Sequence, residues 1–101
     1  MALFTIILEY RGGTYIAQYA ANGPSQALAR WAQHAVSRKS VAPLSARAKA
    51  ALVQALSEGE GRLDGPTPIA GLPNVWCAGF PIPGGLVNVI KTDPRKSAKE
   101  R

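Results

Sequence analysis

The residues of this chain that could form a nucleophile and base pair are one histidine, His34, and one cysteine, Cys77. A histidine beside a cysteine activates it by taking the thiol proton. The pattern places His34 on the polar side of a helix and Cys77 in the middle of a strand, where a solvated imidazole and an inert thiol are the ordinary states. We therefore predict no catalytic residues and a protein that is not an enzyme. A small enzyme using Cys77 and His34 is the least favoured alternative.

The acidic and glycine residues predict no metal site and no cofactor. A metal ion would require histidines or clustered acids at a repeated spacing, and the chain has neither. The pairs Gly12–Gly13 and Gly84–Gly85 do not lead from a strand into a helix, as a phosphate-binding loop does. We interpret both pairs as turns.

A row of basic residues on one helix is the best candidate binding surface. Arg30, His34 and Arg38 follow one another at i, i+4 spacing, which places them on one side of a helix. Three more basic residues follow, Lys39, Arg47 and Lys49. Cations on one exposed face bind phosphates by releasing counterions, so this surface is a candidate for RNA or DNA. A solvated helix face that binds nothing has the same composition, and the pattern assigns Trp31 and Trp76 to the core rather than to base stacking.

The net charge of +6 is unevenly distributed along the chain. Half of the excess lies in residues 91–101, which contain five basic and two acidic residues. Between Tyr10 and Ser57 there are six basic residues and no acidic residue. Any electropositive face should therefore come from this middle segment.

Two β-prone runs around Gly12–Gly13 predict an N-terminal hairpin from Phe4 to Tyr19. With Gly12 and Gly13 as the two turn residues, Tyr10 faces Tyr15 and Leu8 faces Ala17. One face of this hairpin is apolar and aromatic along its whole length. We expect helices to cover that face.

Two amphipathic helices are predicted after the hairpin. The first begins near Pro24, with Gly23 or Ser25 as its cap. The second begins after Ser45, because Pro43 prevents a continuous helix. Their predicted buried faces contain Leu28, Trp31, Ala32, Ala35 and Val36 in the first helix, and Ala48, Ala51, Leu52, Ala55 and Leu56 in the second.

The C-terminal part is predicted to contain a second hairpin. Residues 62–72 are rich in glycine, proline and threonine, which predicts a loop without a strand ladder. Two strands follow, Asn74 to Phe80 and Leu86 to Thr92. The element order β-β-α-α-β-β predicts an α+β fold, a four-stranded and mainly antiparallel sheet with both helices on one face. Residues 1–92 form this single domain and residues 93–101 a basic, disordered tail.

The other face of such a sheet is a second candidate surface. If helices cover only one side, Ile7, Ile16, Val87 or Val89 could be exposed there, as at a partner or dimer interface. Edge strands could also pair across a two-fold axis. Self-association is therefore one of the expected interactions.

The composition bears on membrane association, secretion and cellular compartment. No apolar run approaches the roughly 20 residues that span a bilayer, so no membrane association is expected. The first residues lack the basic start and continuous apolar core of a secretion signal. A lone cysteine forms no internal disulfide, which favours a reducing, cytoplasmic setting.

Several motifs resemble those of short bacterial proteins of unknown function. They are residues 12–18 (GGTYIAQ), 24–28 (PSQAL), Trp31-Ala32, 74–77 (NVWC) and 88–92 (NVIKT). That group brings no established activity. The opening hairpin and the Ala- and Leu-rich helix are also similar to HicB-like antitoxins, which have a further strand and a Pro-Gly loop before the helix, for which Tyr19 to Ser25 leaves no room.

These observations favour a non-enzymatic interaction module of a bacterial cytoplasm. We expect it to bind a protein partner through the basic helix row or an exposed sheet surface. An immunity or antitoxin role falls within this expectation. Binding of RNA or DNA through the basic helix face is the alternative.

Overall fold

A computed structural model describes residues 1–38, 43–57, 66–79 and 85–92. In these ranges the elements are β1 (Ala2–Tyr10), β2 (Gly13–Ala21), α1 (Pro24–Ser37), α2 (Ala46–Ser57), β3 (Thr67–Pro68), β4 (Val75–Gly79) and β5 (Gly85–Thr92). The strands form one antiparallel sheet in the order β2-β1-β5-β4-β3. The predicted α+β class and antiparallel sheet are confirmed, but the described ranges contain five strands rather than four.

The additional strand, β3, lies in the segment predicted to be a loop. Thr67 pairs with Cys77 and Pro68 pairs with Trp76. A strand of two residues produces no readable alternation, and proline is tolerated in a strand only where its missing N–H faces away from the ladder. β3 satisfies that condition because it is the edge strand of the sheet.

The turn of the first hairpin is displaced from its predicted position. Arg11 and Gly12 are the turn residues, with φ of 49° and 81°, and Tyr10 pairs with Gly13. Positive φ at both positions is the requirement of a type I′ turn. The predicted pairing of Tyr10 with Tyr15 is therefore wrong. The correct register moves each partner by two residues, so every side chain stays on its predicted face.

Gly13 has a packing role instead of a turn role. A Cβ added to it would lie 2.7 Å from Cζ of Tyr15, closer than real Cβ atoms approach other atoms. The absence of a side chain at Gly13 thus lets the Tyr15 ring lie over the start of β2. Arg11 at the turn places its guanidinium carbon 5.3 Å from the centre of the Tyr10 ring.

All fully buried residues of the sheet lie on one face, which we call the inner face. Phe4, Ile6 and Leu8 of β1 line up with Val87 and Val89 of β5, and each is at most 2% exposed. The buried helix residues that join them in one core are Ala27, Leu28, Trp31, Ala32 and Ala35 of α1 and Ala48, Leu52 and Ala55 of α2. The predicted helix faces are confirmed for these residues. Val36 and Leu56 are partly buried at the rim, and Ala51, which was predicted to be buried, is only partly so and is not part of the core.

Each helix begins at a predicted cap. Gly23 is the N-cap of α1, Pro24 is its first helical residue, and the Ala27 N–H donates to the Gly23 carbonyl at 3.0 Å. Ser45 precedes α2, and its Oγ accepts the Ala48 N–H at 3.1 Å. The same Oγ lies 3.4 Å from the Tyr10 hydroxyl, which connects the start of α2 to the end of β1.

Some predictions lie outside the described residues. These are the position of Lys39, the connection between β4 and β5, and the basic tail at residues 93–101. Among the residues that are described, neither helix has the length and apolar character needed to cross a membrane.

Candidate functional site

The free edge of β2 is the most distinctive backbone surface in the described part of the chain. A two-residue turn closes β1 onto β2 at Tyr10 and Gly13, so this pair exchanges hydrogen bonds and every second pair after it does the same. The N–H and C=O groups of Thr14, Ile16, Gln18 and Ala20 therefore point away from β1. Within residues 1–38, 43–57, 66–79 and 85–92, no strand pairs with them.

This edge lacks the features that usually prevent strand pairing. β2 is nine residues long and contains no charged residue and no proline. The opposite edge of the sheet, β3, is only two residues long and includes Pro68. One edge of the sheet is therefore protected and the other is open.

The polar side chains of β2 leave the edge unobstructed. Thr14 Oγ1 donates to Glu9 Oε1 at 3.0 Å, and Gln18 Nε2 donates to Thr5 Oγ1 at 3.0 Å. Both side chains thus turn back over β1 instead of bending over the free backbone groups. Between them Ile16 is 64% exposed.

The predicted basic row lies beside this edge, on the inner side of the sheet. Arg30 donates from Nη1 to the Ala20 carbonyl, one of the groups that point away from β1. The His34 ring packs edge-on against Tyr19, with 5.2 Å between ring centres. We call Arg30, His34 and Arg38 the basic stripe. Arg30 and His34 thus contact the C-terminal half of β2. The prediction that Arg38 lies on the helix is wrong, because α1 ends at Ser37 and Arg38 is its C-cap residue with extended backbone.

The remaining predicted site residues are elsewhere. Arg47 and Lys49 belong to α2, where Arg47 is exposed and Lys49 partly buried. The basic stripe, with Arg30 and His34 on α1 and Arg38 at its C-cap, is therefore the part of the predicted site that the structure connects to a second feature.

The pKa of Tyr19, beside the basic stripe, is shifted by two opposing effects. Burial raises the pKa of Tyr19, and the positive charge of Arg38 partly opposes this rise. Tyr10 behaves in the opposite way, because its hydrogen bond with Ser45 lowers its pKa against the effect of burial. The positive charge of Arg38 thus acts on a residue of the inner face of β2.

The outer face of the sheet has no fully buried residue in the described ranges. Ile16 and Leu86 are exposed there, at 64% and 45%, and Ile7 is half-buried between Ile16 and Asn88. The expectation that Val87 and Val89 lie on this surface is wrong, since they are 1% and 0% exposed in the core. Leu86, Asn88 and Ile90 face outward instead.

His34 and Cys77 do not form a pair. His34 packs on Tyr19 at the inner side of β2, whereas Cys77 is aligned with Asn88 on the outer face of β4. β1 and β5 lie between the two strands. Among the described residues, no group of three histidine, cysteine or acidic side chains is arranged to hold a metal ion.

The sequence indicated the stripe but did not identify which strand has a free edge. The available signal is the composition of β2, a nine-residue run that lacks both charge and proline, whereas β1 contains Glu9 and β5 contains Lys91. That signal gains meaning only when the strand order is known.

Comparison of this chain with protein-family models, curated proteins and solved structures finds no significant match.

Proposed function

We propose that this chain is a protein-interaction module that takes an extended segment of a partner protein onto the free edge of β2. The observation that carries the proposal is the open, nine-residue, uncharged strand at one edge of a sheet whose other edge is short and contains proline. Strand addition satisfies outward N–H and C=O groups with those of the incoming chain. Ile16, exposed at the centre of the edge, supplies an apolar contact for it.

The position of the binding groups supports a protein segment over a nucleic acid. Trp31 is 0% exposed, and Trp76 packs at 6.1 Å between ring centres against Phe4. Neither ring is presented as a platform for bases. Binding of RNA or DNA by the basic stripe remains the second candidate, favoured by the lack of acidic residues between Tyr10 and Ser57.

The test is a proline at the edge. Gln18→Pro removes an outward N–H and places a ring on the edge, but it removes no bond to β1 because that N–H points away from β1. Gln18→Ala is the matched control, since it loses the same side-chain bond to Thr5 and keeps the N–H. Both variants should retain the wild-type circular dichroism spectrum.

Affinity capture from the source cell, after nuclease treatment, should retain the same protein with the wild type and Gln18→Ala and lose it with Gln18→Pro. In the complex, the amide protons of Ile16 and Gln18 should become protected from hydrogen exchange. Equal retention by all three baits would exclude the edge as the binding site. Retention only of nucleic acid, abolished by nuclease, would instead support the second candidate.

A further inference from the structure

Resting on strand addition as the function, we infer that the segment received by β2 alternates acidic with apolar residues, its acidic side chains facing α1. The two sides of the β2 edge have different surroundings. The inner side has the basic stripe, and the outer side has Ile16. These two environments differ enough to specify the two faces of an incoming strand.

On the inner side, the surroundings are positive. Arg30 and His34 contact Ala20 and Tyr19, and the charge of Arg38 reaches the Tyr19 hydroxyl. Arg11 lies at the turn that begins β2. The nearest acidic residue along the chain, Glu9, is on the outer face and accepts a bond from Thr14. A carboxylate arriving on the inner side therefore meets cations and no acidic residue of the segment from Tyr10 to Ser57.

On the outer side, the surroundings are apolar at the centre. Ile16 is exposed, and it continues across the sheet into half-buried Ile7. Thr14 and Gln18 on either side direct their polar groups toward β1. A branched apolar side chain of the incoming strand would cover Ile16. Removing both apolar side chains from water would stabilise the complex.

A second copy of this chain fits the same edge less well. β2 has no carboxylate to offer a basic stripe, and a two-fold pairing would bring two stripes of the same sign to one seam. Like charges across an interface oppose association. The charge pattern therefore favours a different, acidic partner strand over self-pairing.

The test uses four fluorescent nine-residue peptides with the purified full chain. In the first, glutamate alternates with valine. The second has glutamine in place of glutamate, the third has the composition of the first arranged in two blocks, and the fourth has lysine in place of glutamate. Fluorescence anisotropy at low and moderate salt gives the dissociation constants. Uracil-rich RNA of similar length is measured in parallel, and sedimentation velocity reports the oligomeric state.

The alternating glutamate peptide should bind most tightly and lose affinity with added salt. The double variant Arg30→Gln, Arg38→Gln should weaken it about tenfold, since two exposed ion pairs are lost. Gln18→Pro should abolish binding. Lys91→Gln, which removes one positive charge from an exposed position of β5, should leave the dissociation constant unchanged.

Distinct results overturn the inference. Equal binding of the glutamine peptide would reject acidic recognition but leave strand addition intact, provided Gln18→Pro still abolishes it. Equal binding of the block peptide would reject the alternating arrangement. Absence of binding by all four peptides, tighter stripe-dependent binding of RNA, or a dimer that Gln18→Pro dissociates would each reject an acidic strand as the occupant. Failure of Gln18→Pro to affect partner capture would reject the proposed edge itself.

Discussion

Replacing two isoleucines of the first hairpin by alanine should have very different costs. Ile6 and Ile16 lie on paired strands but on opposite faces of the sheet. Ile6 is 0% exposed in the core, whereas Ile16 is 64% exposed on the outer face. The comparison holds the residue type and the hairpin constant and changes only the environment.

The expected magnitudes follow from these exposures. Truncating a fully buried isoleucine to alanine costs about 2–5 kcal/mol, because the lost transfer free energy is joined by the cost of a cavity. Burying a whole isoleucine side chain contributes about 1.5–3 kcal/mol. Ile16 keeps roughly a third of its surface from water, so Ile16→Ala should cost about 0.5–1 kcal/mol. No cavity cost is added for Ile16→Ala, because most of the side chain that is removed lies in solvent.

Urea unfolding followed by circular dichroism measures both costs. With a denaturant slope of about 1.5 kcal/mol/M, the midpoint should fall by about 2 M for Ile6→Ala and by about 0.5 M for Ile16→Ala. Ile16→Thr keeps the branched Cβ and controls for strand propensity. Equal midpoint shifts for Ile6→Ala and Ile16→Ala would refute the reasoning. They would mean that the outer face and the β2 edge are covered in solution.

Three further predictions concern the two helix caps and Tyr19. Ser45→Ala removes the oxygen that accepts the Ala48 N–H and should lower stability by about 1 kcal/mol, or about 4–8 °C in thermal denaturation. Gly23→Ser adds a capping oxygen where an added Cβ meets nothing within 4 Å, so its melting temperature should rise or stay unchanged; a fall would contradict the assigned cap. Because burial raises the pKa of Tyr19, the folded state keeps that proton to higher pH than the unfolded chain, and stability should fall above about pH 10. Tyr19→Phe should reduce that fall in alkaline urea titrations, and an unchanged pH profile would contradict the assignment.

The inner face of β1 was predictable because both of its polar residues, Thr5 and Glu9, fall in one phase. Phe4, Ile6, Leu8 and Tyr10 fall in the other phase, which is therefore the one that buries large side chains. β5 offers no such contrast. Leu86 and Ile90 are as apolar as Val87 and Val89, and a one-residue change of phase exchanges the faces. Packing against α1 and β1 decides the phase there, and that information is not local.

The turn and β3 were missed for different physical reasons. Arg11, Gly12 and Gly13 provide two adjacent choices for a two-residue turn, and arginine is a poor candidate for positive φ. The close approach of Tyr15 assigns Gly13 to the strand instead. Thr67–Pro68 is too short to show a period.

The basic residues of the candidate site could be predicted from the sequence, but the free strand edge beside them could not. The i, i+4 spacing was sufficient to place Arg30 and His34 on one side of α1, but it was wrong for Arg38, which follows the helix as its C-cap residue with extended backbone. That this side adjoins an open strand depends on β5 pairing with β1, which leaves β2 at the edge. Strand order is set by contacts between residues far apart in sequence, so local patterns do not encode it.

The pairing of β1 with β5 determines when this protein can fold. Leu3 pairs with Thr92, and Thr92 Oγ1 donates to the Leu3 carbonyl at 3.2 Å. During synthesis, β1 therefore emerges from the ribosome about 80 residues before β5, its second neighbour in the sheet, has been made. Contacts of such long sequence separation slow folding. Until β5 arrives, the nascent hairpin has unpaired backbone on both edges, and a chaperone or an early partner of β2 would protect it during that interval.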